Sequence, residues 1–140
     1  MKHIIKTLLL SICLIMGCNK DDTFPDVYIN ESIYVTGPEY IGVYNNLWAY
    51  QMEPGGVGGL IVVQGMNNEF IVYDQACTFE ASQECVISGE NNNNDIILAC
   101  KNCCNSKFVI NDGSVIEGPA NRALKRYHSY FDGTILHITN

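Results

Sequence analysis

Residues 60–77 read LIVVQGMNNEFIVYDQAC, and this stretch decides the fold. Leu60-Ile61-Val62-Val63-Gln64 is a short, continuous, β-branched apolar run, the pattern of a strand buried on both faces. Gly65-Met66-Asn67-Asn68 contains residues that tolerate the backbone of a tight turn. Glu69-Phe70-Ile71-Val72-Tyr73-Asp74 is the returning strand, and Cys77 follows three residues later. The central unit is therefore a hairpin that delivers a cysteine from its end.

The same grammar extends outward. Residues 107–110 (KFVI) and 115–117 (VIE) flank the turn Asn111-Asp112-Gly113-Ser114. Residues 124–130 and 134–139 flank Asp132-Gly133, a further hairpin turn. Upstream, residues 27–29 (VYI) and 32–35 (SIYV) carry β character. Residues 54–59 (PGGVGG) form a flexible turn, and residues 88–95 (SGENNNND) read as a polar loop tip. Residues 39–53 are aromatic-rich and ambiguous; Tyr40, Tyr44, Trp48 and Tyr50 there suit either core packing or a binding face for a glycan or partner protein. No strongly amphipathic helix of ordinary length and no internal repeat is present. These signals predict an all-β sandwich or small barrel of short antiparallel strands, one domain over residues 27–140.

The N-terminus carries a different signal. Lys2 and Lys6 precede an uncharged apolar run at residues 7–16 (TLLLSICLIM), about the length of a signal-peptide core and short of the about 20 residues a spanning helix needs. The run ends in residues 15–18 (IMGC), which resembles the lipobox of bacterial lipoproteins. The resemblance implies cleavage after Gly17 and lipidation of Cys18. Residues 1–17 are then a signal peptide, and residues 18–26 a lipidated cysteine and tether. The segment Cys18-Asn19-Lys20-Asp21-Asp22 is also similar to the surface-export signal of Bacteroidota lipoproteins. An outer-membrane lipoprotein follows, facing the periplasm or the cell surface, with the membrane reached through lipid at Cys18.

Once Lys2 and Lys6 leave with the signal, six basic residues face 15 acidic ones. Such a chain repels phosphate backbones, which excludes nucleic acid as a partner. No Ser-His-Asp arrangement or phosphate loop is evident, and residues 54–59 are not a G-x-G-x-x-G opening a helix. No catalytic residue is assigned.

Of seven cysteines, Cys13 leaves with the signal and Cys18 takes the lipid. Cys77, Cys85, Cys100, Cys103 and Cys104 remain, all close together in sequence. An odd number cannot all pair with one another. Export permits disulfides, and two cysteine loops presented by hairpins also suit tetrahedral zinc or iron.

Residues 70–140 resemble a Rieske domain. The family's first loop, C-x-H, corresponds to Cys77-Thr78-Phe79. Its second loop, C-P-C-H-G-S-x-F, corresponds to residues 100–108 (CKNCCNSKF), with one residue inserted after Cys100. Asp112-Gly113, Gly118-Pro119-Ala120, Leu124 and Tyr127 continue the match. Two departures stand out: Phe79 occupies the place of the first histidine ligand, and Cys104 that of the second. The family's two-iron centre uses two cysteines and two histidines, and this chain offers neither histidine at those positions. His128 and His137 fall on the late strands and read as ordinary surface residues.

Three chemistries remain open for the thiols. One is a structural zinc on Cys77, Cys85, Cys100 and either Cys103 or Cys104. The second is a pair of disulfides, Cys85 to Cys103 as the resemblance implies, with Cys77 to Cys100 or Cys104. The third is an all-cysteine 2Fe-2S electron carrier. The leading expectation is a non-catalytic envelope domain whose loops are stapled by zinc or disulfides, and the cluster is the alternative.

Overall fold

The computed structural model describes residues 23–89 and 95–140. The signal peptide, Cys18, the start of the tether and the asparagine tract at 91–94 lie outside the described residues. In chain order the elements are β1 (Asn30–Tyr34), α1 (Ile41–Tyr44), β2 (Tyr50–Glu53), β3 (Leu60–Gln64), β4 (Phe70–Asp74), β5 (Ser88–Gly89), β6 (Ile97–Ala99), β7 (Lys107–Val109), β8 (Val115–Glu117), β9 (Arg126–Phe131) and β10 (Ile135–Thr139). Short 3-10 turns at Pro38–Tyr40 and Met66–Asn68 complete them.

The hairpin at 60–74 forms as expected. β3 and β4 pair antiparallel from Leu60↔Asp74 to Gln64↔Phe70. Its turn relies on Asn67 and Asn68, at φ of 55° and 60°, a region that asparagine reaches more readily than most residues. Every residue of both strands is buried. The reason is that each face meets a different core. Leu60, Val62, Phe70 and Val72 pack with Ile29, Val35, Leu136 and Ile138. Ile61, Val63, Ile71 and Tyr73 pack with Ile87, Leu98, Phe108 and Cys77.

Two antiparallel sheets result. The larger has the order β1-β10-β9-β4-β3-β2. It curls, because side chains of β10 meet those of β3 in one core. The smaller has the order β5-β6-β7-β8 and lies against the other face of the central hairpin. The all-β class and the two cysteine-bearing loops are as expected.

Some boundaries differ. Residues 27–29 are not a strand; the Ile29 amide donates to the Asn140 side chain at 2.6 Å, and sheet pairing starts at Asn30. Ser88 and Gly89, expected within a polar loop, form β5 against β6. The ambiguous segment 39–53 becomes α1 and β2. Tyr40 and Tyr50 are buried there, while Tyr44 and Trp48 pack partly buried against the two cores, so these aromatics are core residues. Among the described residues no helix is long and apolar enough to cross a membrane.

Candidate cysteine site

Both cysteine loops are returns off paired strands. The first leaves β4 and comes back at β5. Its neck is closed by the Cys77 amide donating to the Cys85 carbonyl at 2.7 Å and the Ile87 amide donating to the Gln75 carbonyl at 2.8 Å. The second joins β6 to β7, closed by Asn105 to the Cys100 carbonyl and by Cys100 to the Ser106 carbonyl, both at 2.9 Å. Asn105 sits at φ 56°, which makes the turn tight enough to bring Cys104 back beside Cys100.

A buried carboxylate anchors the first loop. Asp74, fully buried at the end of β4, accepts from the amides of Val57 (2.7 Å), Gly58 (3.0 Å) and Ala76 (2.7 Å) and from the Tyr127 hydroxyl (2.7 Å). It ties the Gly-rich turn, the late strand β9 and the entrance to Cys77 at one point. Thr78 adds a hydroxyl bond to the Arg122 carbonyl at 2.7 Å.

The five cysteines divide. Cys85 and Cys103 form a disulfide across the loops, 18 residues apart in sequence; this is the pair the resemblance implied. Cys77, Cys100 and Cys104 are free, and their sulfurs all lie within 4.8 Å of one another. The Cys77 and Cys104 sulfurs stand 3.2 Å apart. Cys77 and Cys100 are buried, and Cys104 is half-buried. The four-thiolate zinc set is therefore not assembled, because Cys85 and Cys103 are bonded to each other. Cys77 lies beside both Cys100 and Cys104 and is bonded to neither.

Burial is the chief reason the Cys77 thiol is pushed up to about 12; the Phe79 amide opposes this, and the neighbouring thiols of Cys104 and Cys100 add to it. Burial also raises Cys104, but the Ser106 hydroxyl and amide, with help from Cys77 and Cys100, outweigh it and bring the thiol below its ordinary value. Of Cys77 and Cys104, Cys104 gives up its proton first.

Ser106 was legible only as a landmark, and the structure makes it part of the site. Its Oγ is 3.1 Å from Cys104 Sγ and accepts from the Ala120 amide at 3.0 Å. This accounts for the Gly118-Pro119-Ala120 motif. Gly118, at φ +100°, lies against Ser106, and a Cβ there would stand 2.5 Å from Ser106 Cα and 2.7 Å from its Oγ. Only glycine lets the segment approach closely enough for Ala120 to hold the serine.

His137 bonds with Ser32 (3.1 Å) and Asp132 (3.4 Å) on the outer sheet, and His128 is exposed on β9. Neither joins the thiols. Phe79 is 38% exposed and supplies no ligand atom. A two-iron cluster takes two protein ligands on each iron. The disulfide leaves three thiols here and no histidine, so neither the mixed nor the all-cysteine ligand set is complete.

No protein-family model matches this chain, and none of the curated proteins matches it. Among solved structures, the chain is similar to one in the "Complex of reduced oxygenase and oxidized ferredoxin in carbazole 1,9a-dioxygenase". The TM-score is 0.49 at 11% identity, over 82% of this chain and 94% of that chain.

Proposed function

We propose that this chain is a lipid-anchored cell-envelope protein, held at the outer membrane through Cys18, with a Rieske-like domain that is non-catalytic. Sulfur staples its two loops where the family it resembles assembles a cluster. The observation that carries the reading is the Cys85–Cys103 bond between the loops, beside three thiols that no histidine joins among the described residues. An oxidising envelope compartment suits that bond, and the sequence around residues 7–18 supplies the route to it.

Protein purified from membranes should be colourless and carry no iron. Visible absorbance with about two irons per chain would overturn the reading in favour of an electron carrier. Substituting Cys18→Ser should move the chain from the membrane fraction to the soluble one, and unchanged membrane retention would remove the anchor from the proposal. Protease treatment of intact cells decides which side the domain faces: digestion places it on the surface, protection in the periplasm.

A further inference from the structure

We propose that Cys77, Cys100 and Cys104 form a three-thiolate site for one soft monovalent cation of the copper(I) class. The inference rests on the reading above, in which no two-iron cluster is assembled.

Spacing comes first. Around a single ion with metal–sulfur bonds of about 2.3 Å, sulfurs stand about 3.8 Å apart in a tetrahedron and about 4.0 Å in a trigonal plane. Here the Cys77 and Cys104 sulfurs stand 3.2 Å apart, and all three sulfurs lie within 4.8 Å of one another. They need to move by tenths of an ångström to close on one ion, and they sit too close together to straddle two.

Next comes the donor set. It is sulfur alone; no histidine or carboxylate among the described residues joins the group. Thiolates select copper(I), zinc or iron–sulfur clusters. A closed zinc site takes four protein ligands, and the two-iron cluster also takes four. A monovalent d10 ion is satisfied by three.

A hydroxyl stands beside the half-buried sulfur of the three. The Cys104 thiol donates to Ser106 Oγ at 3.1 Å, and the same oxygen accepts from the Ala120 amide at 3.0 Å; once loading removes the thiol proton, the hydroxyl can turn its own proton to the sulfur. That donor would disperse part of the excess negative charge that three thiolates leave around a single positive ion. Cys104, half-buried, is the way in, while Cys77 and Cys100 are closed off in the core. Loading releases the thiol protons and transfers no electron, since copper enters and stays as copper(I).

The test uses the full chain, purified without metal and with its disulfide intact. It is titrated under anaerobic conditions with copper(I) held by bicinchoninate. The expected result is one copper per chain, withdrawn from the chelator, and protection of three thiols together from iodoacetamide. Cys100→Ser should weaken binding at least about 100-fold. Ser106→Ala should weaken it about 10-fold at unchanged stoichiometry, as loss of a partner to a metal ligand does. Protection of the wild-type thiols needs no variant to fold.

The proposal is overturned if copper is not taken up, if Cys100→Ser binds as well as the wild type, or if zinc is bound one-to-one in preference. It also fails if a thiol count finds Cys77 bonded to Cys104 and a single thiol left. Each of those results, without iron, leaves the non-catalytic reading standing; two irons per chain would remove both.

Discussion

The two sheets solve the same problem by different means. The larger has strands of four to six residues and a central hairpin buried on both faces. Area removed from water stabilises it at about 25 cal/mol per Å², and no disulfide crosses it. The smaller has strands of two or three residues. Its buried apolar side chains are few, chiefly Ile87, Leu98, Phe108 and Ile110, and its loops are long for the sheet that bears them. A two- or three-residue strand does not hold a loop in place through backbone bonds alone. There the disulfide supplies the constraint, and the thiols are positioned by sulfur and by polar bonds to Asp74 and Ser106. The lesson is that the chain's chemistry sits where its hydrophobic stabilisation is thinnest.

The seam between the two regions should be the most sensitive point. Asp74→Ala leaves three backbone amides and the Tyr127 hydroxyl without their acceptor inside the protein. Each buried, unpaired polar group costs about 1–3 kcal/mol, so a loss of about 3–5 kcal/mol is expected in denaturant unfolding. Both sheets should loosen together. If amide exchange speeds up only around Cys77, Asp74 belongs to the loop and not to the seam.

Next in size is the disulfide. Replacing Cys85 and Cys103 together with alanine releases a loop of 18 residues' separation, worth about 3 kcal/mol in chain entropy. The contrast between the sheets makes this sharper than a melting temperature. Hydrogen exchange should rise across residues 77–104 and stay slow in β3 and β4. Equal loss of protection in the central hairpin would show that the sheets do not differ as argued. Tyr127→Phe is milder, at about 1 kcal/mol in the same unfolding experiment, because Asp74 keeps its three amide partners.

Much of this was legible in the residues. The 60–74 hairpin was read from a β-branched run and a turn, signals that depend only on neighbours in sequence. β5 was not, because two residues, Ser88 and Gly89, pair as a strand only through β6, which the sequence places across a polar tract. Residues 27–29 looked like a strand because their side chains are apolar or aromatic; the Asn140 side chain, 111 residues from Ile29, takes the amide instead. The site was legible as five cysteines on two loops. Which of Cys103 and Cys104 turns inward was not, since neighbouring residues in a loop differ only by backbone conformation. Asn105 at φ 56° is part of that answer. Ser106 was not legible as a site residue because a serine shows its purpose only when Gly118 and Ala120 arrive from the segment after β8.

The smallest effect, and the one that reads the cluster directly, is the pH response of the free thiols in the metal-free protein. Cys77 is pushed up to about 12 by burial, which favours its protonated form in the folded state. That contribution is fully present below the ordinary thiol value of 9.0 and is lost as pH rises toward 12. Cys104 is shifted the opposite way, so its contribution is present above the ordinary value and fades as pH falls through its lowered one. The two signs oppose in separate windows: on their account global stability should rise as pH climbs through the lowered Cys104 value toward 9.0, and fall from there toward 12. Reactivity separates what stability blurs. The thiolate is the reacting form, so iodoacetamide at about pH 8 should label half-buried Cys104 first, with Cys77 following only at higher pH or on unfolding, and buried Cys100 only once the loop opens. Peptide mapping over time reads the order. Labelling of Cys77 ahead of Cys104 would mean that Ser106 does not stabilise the Cys104 thiolate, and the contrast between a dry, apolar core and a polar, sulfur-held loop would fail at the residue where it is most specific.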